Sequence, residues 1–387
     1  MPLAPPGHEY ADVQDSKQVL SKKKPQWNPQ GEENTKIQYN TLHGNATMQI
    51  ASSRMFHPRP CGCKGKRTCL VCENEYGAYK DTEFINEKDK RESYIYCPHC
   101  NLAYPGWDEN SWKKHPNHDG KAISFGGLFW FSDHEDTLFF QIRHKMTELW
   151  PPKKKKLNYG PKCNFKKHRL RNENFTGYPA FTKFIQDRFS DIDILKDFQT
   201  VEQCSLEYNT ERGASIDPHI DDCWIWGERI PTLSLLSDSV LTLNKFEGPP
   251  NKYNLPDTLT YPRIMKEDDT IKNENEVIEE FGLIEKGLLE RKNIPNNAAE
   301  NGFSLPRIVR LPMPRRSLLV FYGAPRYEWE HSILREDIDT RRVCITYREI
   351  TPPYLPCGPK ADIGLPVLAS GAGFWDHFWH LGISCSS

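Results

Sequence analysis

The sequence lacks the features that would direct a protein into a membrane or out of the cell. No apolar run reaches the roughly 18 residues that cross a bilayer, and the mean hydropathy is low at −0.71. The start of the chain, MPLAPPGHEY, has no basic segment followed by an apolar one, so we expect no signal peptide. A net charge of −1 over 387 residues also excludes a global electrostatic preference for nucleic acid. The sequence therefore predicts a soluble intracellular protein.

Cysteine, in contrast, is plentiful, with 12 residues in the chain. Because no secretory signal is evident and several cysteines form Cys-x-x-Cys pairs, we expect reduced metal ligands rather than disulfides. Zinc takes four such ligands in a tetrahedron, and the candidates suffice for two ions. The candidate ligands are Cys61, Cys63, Cys69, Cys72, Cys97, Cys100, His115 and His118.

The partition of these ligands is open in the sequence. Cys69, Cys72, Cys97 and Cys100 alone have the spacing of a zinc ribbon. Free or redox-active thiols in a loop-rich segment are the alternative interpretation. Three further cysteines, at positions 204, 223 and 344, are expected to be small buried hydrophobic residues.

Composition divides the chain into four parts. Residues 1–54 are polar and aperiodic, which predicts disorder, and residues 55–120 hold the cysteines and histidines of a zinc-binding module. Residues 121–355 contain the strand-like runs of a main domain, interrupted at about 245–305 by a charged, partly disordered insertion. The tail at 356–387 differs in composition, and the sequence assigns it no role.

The predicted secondary structure is mostly β with flanking helices. Residues 132–149 have helical apolar spacing and a capping-box pair, Ser132 and Glu135, while FTKFIQDRF at 181–189 predicts a shorter helix. The strand candidates are QCSLEY, IPTLSLL, DSVLTLN, PRRSLLVFY and RRVCITYRE.

Three dispersed residues have the pattern of an iron site. His219 and Asp221 are two positions apart, so on a strand both face one way. His331, which follows the strand-like SLLVFY, supplies a third ligand from elsewhere in the fold. Two histidines and one carboxylate on one face of an octahedron bind non-haem Fe(II) and leave three positions open. A second His-x-Asp pair at 134–136 lies in the predicted helix start, where acidic residues are favoured without any metal.

A strand with arginines on one face favours the pair His219 and Asp221 over the pair at 134–136. Arg342, Thr346 and Arg348 share one face of R-V-C-I-T-Y-R. Iron binds the keto acid end of 2-oxoglutarate, and the distal carboxylate then requires a bidentate cation, which Arg342 or Arg348 can supply. Thr346 or Tyr208 can add a hydrogen bond. The alternative is an edge strand with solvated arginines.

The combined pattern resembles the AlkB-type Fe(II)- and 2-oxoglutarate-dependent dioxygenases. That family carries N-x-Y, H-x-D, a distal His and R-x-N-x-T-x-R. Here Tyr208 keeps the tyrosine position, but Leu206 and Cys344 stand at the two asparagine positions. The longer strings YGPKCNFKKHRL, FTGYPAF and CGCKGKRTCLVCE resemble one branch, the fourth animal AlkB homologue.

This resemblance implies a double-stranded β-helix (jelly-roll) fold and an O2-consuming demethylase. In that branch the implied substrate is monomethylated lysine on actin, with release of formaldehyde, succinate and CO2 and an effect on actomyosin assembly. DNA 6-methyladenine or another methylated base is the alternative substrate. A location in cytoplasm and nucleus accompanies the resemblance. A non-enzymatic zinc-binding interaction protein is a third hypothesis, against which the complete triad and both arginines argue.

Several polar and aromatic residues near the triad allow two interpretations. Asp222 either orients a cationic substrate amine or is a solvated loop acid. Trp224 and Trp226 either line the pocket entrance or belong to the core. A basic stretch either attracts phosphates or an acidic protein, or is a solvated loop. It consists of Lys153 to Lys156, Lys162, Lys166, Lys167 and Arg169.

Overall fold

A computed structural model gives the fold. It describes residue 63 and residues 65–76, 85–132, 156–173, 175–289 and 306–372. All of these belong to one compact unit, 57–387. The expected N-terminal tail, the expected helix beyond Ser132, the second His-x-Asp pair, Cys61 and Lys153 to Lys155 lie outside the described residues. No described helix is long and apolar enough to cross a membrane.

Two large sheets, a two-stranded sheet of β7 and β8, and six α-helices with several 3-10 turns form the described structure. The strands are β1 Arg67–Thr68, β2 Tyr94–Cys97, β3 Leu102–Pro105, β4 Ile123–Ser124, β5 Leu128–Ser132, β6 Lys156–Tyr159, β7 Lys162–Asn164, β8 Arg169–Arg171, β9 Glu202–Tyr208, β10 Ser215–His219, β11 Ile230–Leu235, β12 Ser239–Lys245, β13 Ile308–Met313, β14 Ser317–Phe321, β15 Trp329–Ile333 and β16 Arg342–Arg348. The helices are α1 Leu70–Tyr76, α2 Glu87–Arg91, α3 Lys183–Asp187, α4 Glu274–Glu285, α5 Gly323–Tyr327 and α6 Ala361–Ala372.

The strands β9 to β16 alternate between the two sheets with one exception, the consecutive strands β12 and β13, which pair within the same sheet. One sheet has the order β5-β14-β11-β16-β9-β6, and the other has the order β1-β10-β15-β12-β13-β2-β3-β4. Every pairing is antiparallel except that of β2 with β13. Because β2, β3 and β4 extend the second sheet, the cysteine-rich segment shares a sheet with the main domain.

The six-stranded sheet is covered on both faces, which explains its nearly continuous apolar strands. Alternate residues of β16 enter different clusters: Cys344 packs with Leu243 and Leu311 of the other sheet. Val343 and Ile345 pack on the opposite face, against residues such as Ile185 and Phe189. The expected helix at 181–189 is therefore present as α3 with flanking 3-10 turns, and it covers this outer face.

The expected insertion and tail also contain regular structure. In the insertion, a 3-10 segment spans Lys252–Leu259, and α4 begins at a capping box formed by Asn273 and Glu276. In the tail, α6 packs Val367 and Leu368 into a third apolar cluster. Residues 290–305 and 373–387 lie outside the described residues.

Candidate metal centre and co-substrate site

The structure brings His219, Asp221 and His331 together. His219 at the end of β10 lies directly opposite His331 on β15, and their ring centroids are 4.2 Å apart. The Asp221 carboxylate completes a group whose three ligand atoms all lie within 4.8 Å of one another. Asp221 and His331 are buried, and His219 is partly buried. Two histidines and one carboxylate at this separation can hold one metal ion on three adjacent coordination positions.

The two imidazoles are oriented and neutral. The Nδ1–H of His219 donates to the carbonyl oxygen of Asp217 at 2.7 Å, which leaves Nε2 available as a ligand. His331 packs against the ring of Phe321, with centroids 5.2 Å apart. Burial lowers the pKa of His219 and lowers that of His331 well below its usual value. Both rings therefore carry a free lone pair at neutral pH, as metal coordination requires.

Arg348 holds the carboxylate of the group. Its Nε and Nη2 donate to the two Asp221 oxygens at 3.0 and 2.9 Å, and its Nη1 donates to Glu202 at 2.5 Å. Burial raises the pKa of Asp221, but the charge of Arg348 overcomes this effect and holds the pKa well below its usual range. Arg348 is thus engaged by two carboxylates of the chain.

Arg342, in contrast to Arg348, has no carboxylate partner among the described residues, and its guanidinium is buried and incompletely hydrogen-bonded. The residue is 1% exposed; its Nε donates to the Ser234 hydroxyl at 3.3 Å, and Nη1 has no hydrogen-bond partner among the described residues. The ring of Tyr208 lies 5.1 Å from the guanidinium carbon. An unpaired buried cation is costly, so the donor set and the missing counter-ion fit a carboxylate ligand at this position.

The neighbours of Arg342 account for the departures from the family motif. Cys344 and Leu206 are register partners on β16 and β9, and both belong to the apolar core. A hydrophobic pair therefore replaces the two asparagines. Thr346 pairs with Thr232, with their hydroxyl oxygens 3.2 Å apart. Burial raises the pKa of Tyr208, so its phenol keeps its proton and can donate.

The cysteines divide into two clusters. Cys97, Cys100, His115 and His118 converge, with Sγ–N distances of 3.8 Å for Cys97 to His115 and 3.5 Å for Cys100 to His118. Separations of this size suit a tetrahedral zinc ion with bonds of about 2.0–2.3 Å.

The second cluster contains Cys63, Cys69 and Cys72, with the last two sulfurs 3.6 Å apart. The structure does not bring Cys69 and Cys72 together with Cys97 and Cys100 in one group. The ribbon-like spacing in the sequence was therefore a misleading guide to the partition. The register of β2 and β3 places the C-x-x-C of 97–100 in a hairpin turn that faces the two histidines instead.

The aromatic and acidic candidates lie around the triad. Trp224 and Trp226 are each 3% exposed and belong to an apolar cluster, so the core interpretation is correct. Trp224 stacks on His168, at a centroid distance of 5.2 Å. The partly buried Asp222 accepts a hydrogen bond from Asn254 of the insertion at 2.6 Å. Cys204, Cys223 and Cys344 are buried as expected.

Two residues that the sequence analysis missed support the site. Arg326 is fully buried in α5 and donates to the backbone carbonyls of Asp221, Trp226 and Gly227 at 2.8–3.0 Å. Glu202 is the register partner of Arg348 and binds it. The position of Glu202 directly before the predicted strand QCSLEY was the available signal, since acidic residues opposite arginines on paired strands form ion pairs. The sequence contains no comparable signal for Arg326.

Known proteins provide an independent comparison. No protein-family model matches the chain. The human protein named alpha-ketoglutarate-dependent dioxygenase alkB homolog 4 is 33% identical over 321 residues, covering 82% of this chain and 94% of the human protein. A mouse protein of the same name is 33% identical over 319 residues, with coverage of 81% and 94%.

More distant relatives extend the comparison. A Caenorhabditis elegans protein named DNA N6-methyl adenine demethylase is 25% identical over 310 residues, covering 75% of this chain and 86% of its own. Among solved structures, OsALKBH1 aligns with 10% identity and a TM-score of 0.28 over 59% of this chain and 100% of its own. That structural likeness is too weak to support an argument.

The human and mouse similarities span nearly the whole of those relatives. Enzymes of this kind use iron, 2-oxoglutarate and O2 to oxidise a methylated substrate. The chain is a member of the AlkB family of 2-oxoglutarate-dependent dioxygenases.

Proposed function

We propose that His219, Asp221 and His331 hold Fe(II), and that Arg342 binds the distal carboxylate of 2-oxoglutarate. The observation that supports this assignment most directly is the contrast between the arginines. Arg348 is occupied by Asp221 and Glu202, whereas Arg342 is buried with an unpaired Nη1. Tyr208 and Thr346 complete the wall beside Arg342. Iron, when bound, supplies the oxidation of the substrate's N-methyl carbon, after which formaldehyde is lost.

We also propose a double-stranded β-helix for the core and structural zinc for the cysteine clusters. The course of β9 to β16 supports the first part. Consecutive strands cross from one sheet to the other at every step except between β12 and β13, which are neighbours within one sheet. The convergence of Cys97, Cys100, His115 and His118 supports one zinc ion. The thiols of Cys63, Cys69 and Cys72 support a second.

For the substrate, we propose monomethylated lysine on actin. The resemblance of the sequence to the fourth animal AlkB homologue, which implies this substrate, supports the choice. Asp222 also places a partly buried carboxylate next to the triad, where a cationic methylamine gains from an anion. The products are the unmodified lysine, formaldehyde, succinate and CO2. In this proposal, removal of the methyl group regulates actomyosin assembly, and the protein is located in cytoplasm and nucleus.

A methylated nucleic-acid base is the second candidate, and one surface favours it. The hairpin of β7 and β8 exposes Lys162, Lys166, Lys167 and Arg169, and His168 in its turn stacks on Trp224 near the triad. A basic hairpin of this kind attracts phosphates. The worm relative is named as a demethylase of N6-methyladenine in DNA.

Formaldehyde release separates these candidates. The Fe(II)-loaded protein is incubated with 2-oxoglutarate and either monomethyl-lysine actin or an oligonucleotide that contains 6-methyladenine. We expect release from actin, and release from the oligonucleotide alone would favour the second candidate. In the control, His219→Ala with Asp221→Ala abolishes turnover and leaves the zinc content unchanged. Absence of turnover on both substrates, with no iron bound by the purified protein, would instead support a non-enzymatic zinc protein.

A further inference from the structure

The three-thiol cluster lies next to the strand that carries His219. We propose that the cluster of Cys63, Cys69 and Cys72 is a positioning site for His219, so that metal binding by these thiols strengthens iron binding by the triad. The inference rests on the iron and zinc sites proposed above. It concerns an energetic coupling between two metal sites of one chain, which by linkage is reciprocal.

A continuous set of hydrogen bonds joins the cluster to the imidazole. Strand β1 lies between Cys63 and Cys69 and pairs with β10, with Thr68 opposite Ser215. The N–H of Asp217 donates to the carbonyl of Lys66 at 2.7 Å. The carbonyl of the same Asp217 accepts the Nδ1–H of His219, also at 2.7 Å. One residue therefore contacts both the cysteine segment and the ligand ring, and it fixes the direction of Nε2.

A second set of contacts ties the cluster to both ligand-bearing strands. Thr68 donates its hydroxyl hydrogen to Glu73 at 2.8 Å, and Glu73 lies on α1 beside Cys72. Glu73 accepts from Arg335 at 2.6 Å, and Arg335 donates to the carbonyl of Gly213 at 2.7 Å. Arg335 follows β15, which carries His331, and Gly213 precedes β10, so the α1 segment joins the ends of both strands.

The pairing of β1 requires this anchoring for a physical reason. β1 has only two residues, and so short a strand does not offset the entropy lost on its ordering. Metal coordination by thiols on both sides closes the segment into a small loop and removes most of that cost. Cys69 and Cys72 are fully buried, as a cross-link within the fold requires.

β10 depends on β1 because its other neighbour pairs with it irregularly. The register of β10 against β15 shifts between Ile216 and His219. Asp217 lies within that interruption and uses its N–H on Lys66. If β1 no longer pairs with β10, Asp217 lies on an open edge of the sheet. The Asp217 carbonyl, which accepts the Nδ1–H of His219, is then no longer held in place.

The other cysteine cluster provides a matched control. Cys97 ends β2, which is separated from β10 by β15, β12 and β13 in the same sheet. The loss of that metal site removes zinc and local stability without changing any contact of β1, β10 or Asp217. The two cysteine pairs therefore differ in their position relative to His219 and resemble each other in chemistry.

The experiment compares iron affinities of three proteins by anaerobic Fe(II) titration. Cys69→Ser with Cys72→Ser loses one zinc ion and binds Fe(II) more weakly, by about 5- to 150-fold, the usual range of coupling between sites. Cys97→Ser with Cys100→Ser also loses one zinc ion but keeps the wild-type iron affinity. Equal iron affinity in the first variant and the wild type overturns the proposal, and so does equal weakening in both variants.

Hydrogen exchange provides a readout that does not depend on iron. An Asp221→Ala protein, in which zinc has no complete triad to enter, is stripped of metal and reloaded with zinc alone. Reloading slows amide exchange at 215–219, and this effect disappears when Cys69→Ser and Cys72→Ser are added. Unchanged exchange on reloading overturns the proposal. If the wild type binds no iron while reloading still slows exchange, the proposed iron site has failed and the coupling of β1 to β10 stands.

Discussion

At the scale of single residues, the site depends on two arginines of one strand with different roles. They are separated by six positions on β16, Arg342 buried and Arg348 partly buried, yet Arg348 has two carboxylate partners and Arg342 has none among the described residues. Family resemblance and strand alternation identified both from the sequence, but neither could assign their roles. The assignment depends on Glu202 and Asp221, which approach Arg348 only through the register of β9 and the loop after β10.

Replacement of Arg342 tests this division of roles. In Arg342→Lys, the planar fork that matches a carboxylate is lost, so the affinity for 2-oxoglutarate falls by roughly 10- to 100-fold, the cost of about 1.5–3 kcal/mol for a charged hydrogen bond. Binding is measured by titration of 2-oxoglutarate into the iron-loaded protein. The matched control is Arg341→Lys, which changes a partly exposed arginine paired with Glu207. Wild-type affinity in Arg342→Lys would contradict the assignment.

A second prediction concerns a buried ion pair away from the triad. Asp337 pairs with Arg310 at 2.5 Å, and burial raises the pKa of Asp337 to about 6. An unfolded aspartate titrates near ~3.9, so between about pH 4 and 6 the folded protein binds this proton more tightly. The contribution of Asp337 to the free energy of unfolding is therefore greatest below pH 4 and decreases as the pH rises to about 6.

Urea unfolding of the wild type and Asp337→Asn at pH 4.5 and pH 7 measures this contribution. The amide cannot ionise, so the wild type loses stability relative to the variant between the lower and the higher pH, by roughly 1–3 kcal/mol. A difference in the free energy of unfolding that is the same at both pH values would show that Asp337 does not titrate in this range.

At the scale of elements, the strands were predictable and their arrangement was not. QCSLEY, IPTLSLL, DSVLTLN and RRVCITYRE all occur as strands close to the expected positions, because alternation and β-branched content are local signals. The order of strands within the sheets depends on long-range pairing, which no local pattern encodes. The sequence left the partition of the cysteines open for the same reason, since it depends on how β2 and β3 place one pair beside His115 and His118.

The C-terminal tail also could not be placed from the sequence, because its composition does not reveal the close packing of its helix, α6, against the main domain. Gly364 of α6 lies against the backbone of Tyr354, and a Cβ added there would approach the Tyr354 carbonyl oxygen to 1.8 Å. Gly364→Ala must therefore displace α6, and we expect a loss of about 2 kcal/mol or more, as in other overpacked sites. Thermal unfolding measures it.

Gly282→Ala in α4 is the matched control for that substitution. No atom lies within 4 Å of its added Cβ, so alanine should stabilise the helix by roughly 0.5–1 kcal/mol. The two variants should thus shift the melting temperature in opposite directions. A neutral Gly364→Ala would mean that α6 does not pack as described.

At the scale of the whole molecule, one sheet joins the three candidate metal sites found among the described residues. The eight-stranded sheet carries His219 on β10, His331 on β15 and, at its two ends, strands flanked by the cysteine clusters. The six-stranded sheet supplies Arg342, Arg348 and Tyr208. Residue 221 lies in the loop between the sheets, so the proposed iron ligands and Arg342, the arginine proposed to bind the co-substrate, meet only when both sheets pack on their common core.

The most direct test of the account is an anaerobic titration of the purified protein with Fe(II) and 2-oxoglutarate. Binding is monitored through the visible charge-transfer absorption of the complex. The account predicts one iron and one 2-oxoglutarate per chain, no absorption band in Asp221→Ala, and a band that requires far more 2-oxoglutarate in Arg342→Lys. Binding of Fe(II) that persists in Asp221→Ala, or a wild-type protein that binds none, would contradict it.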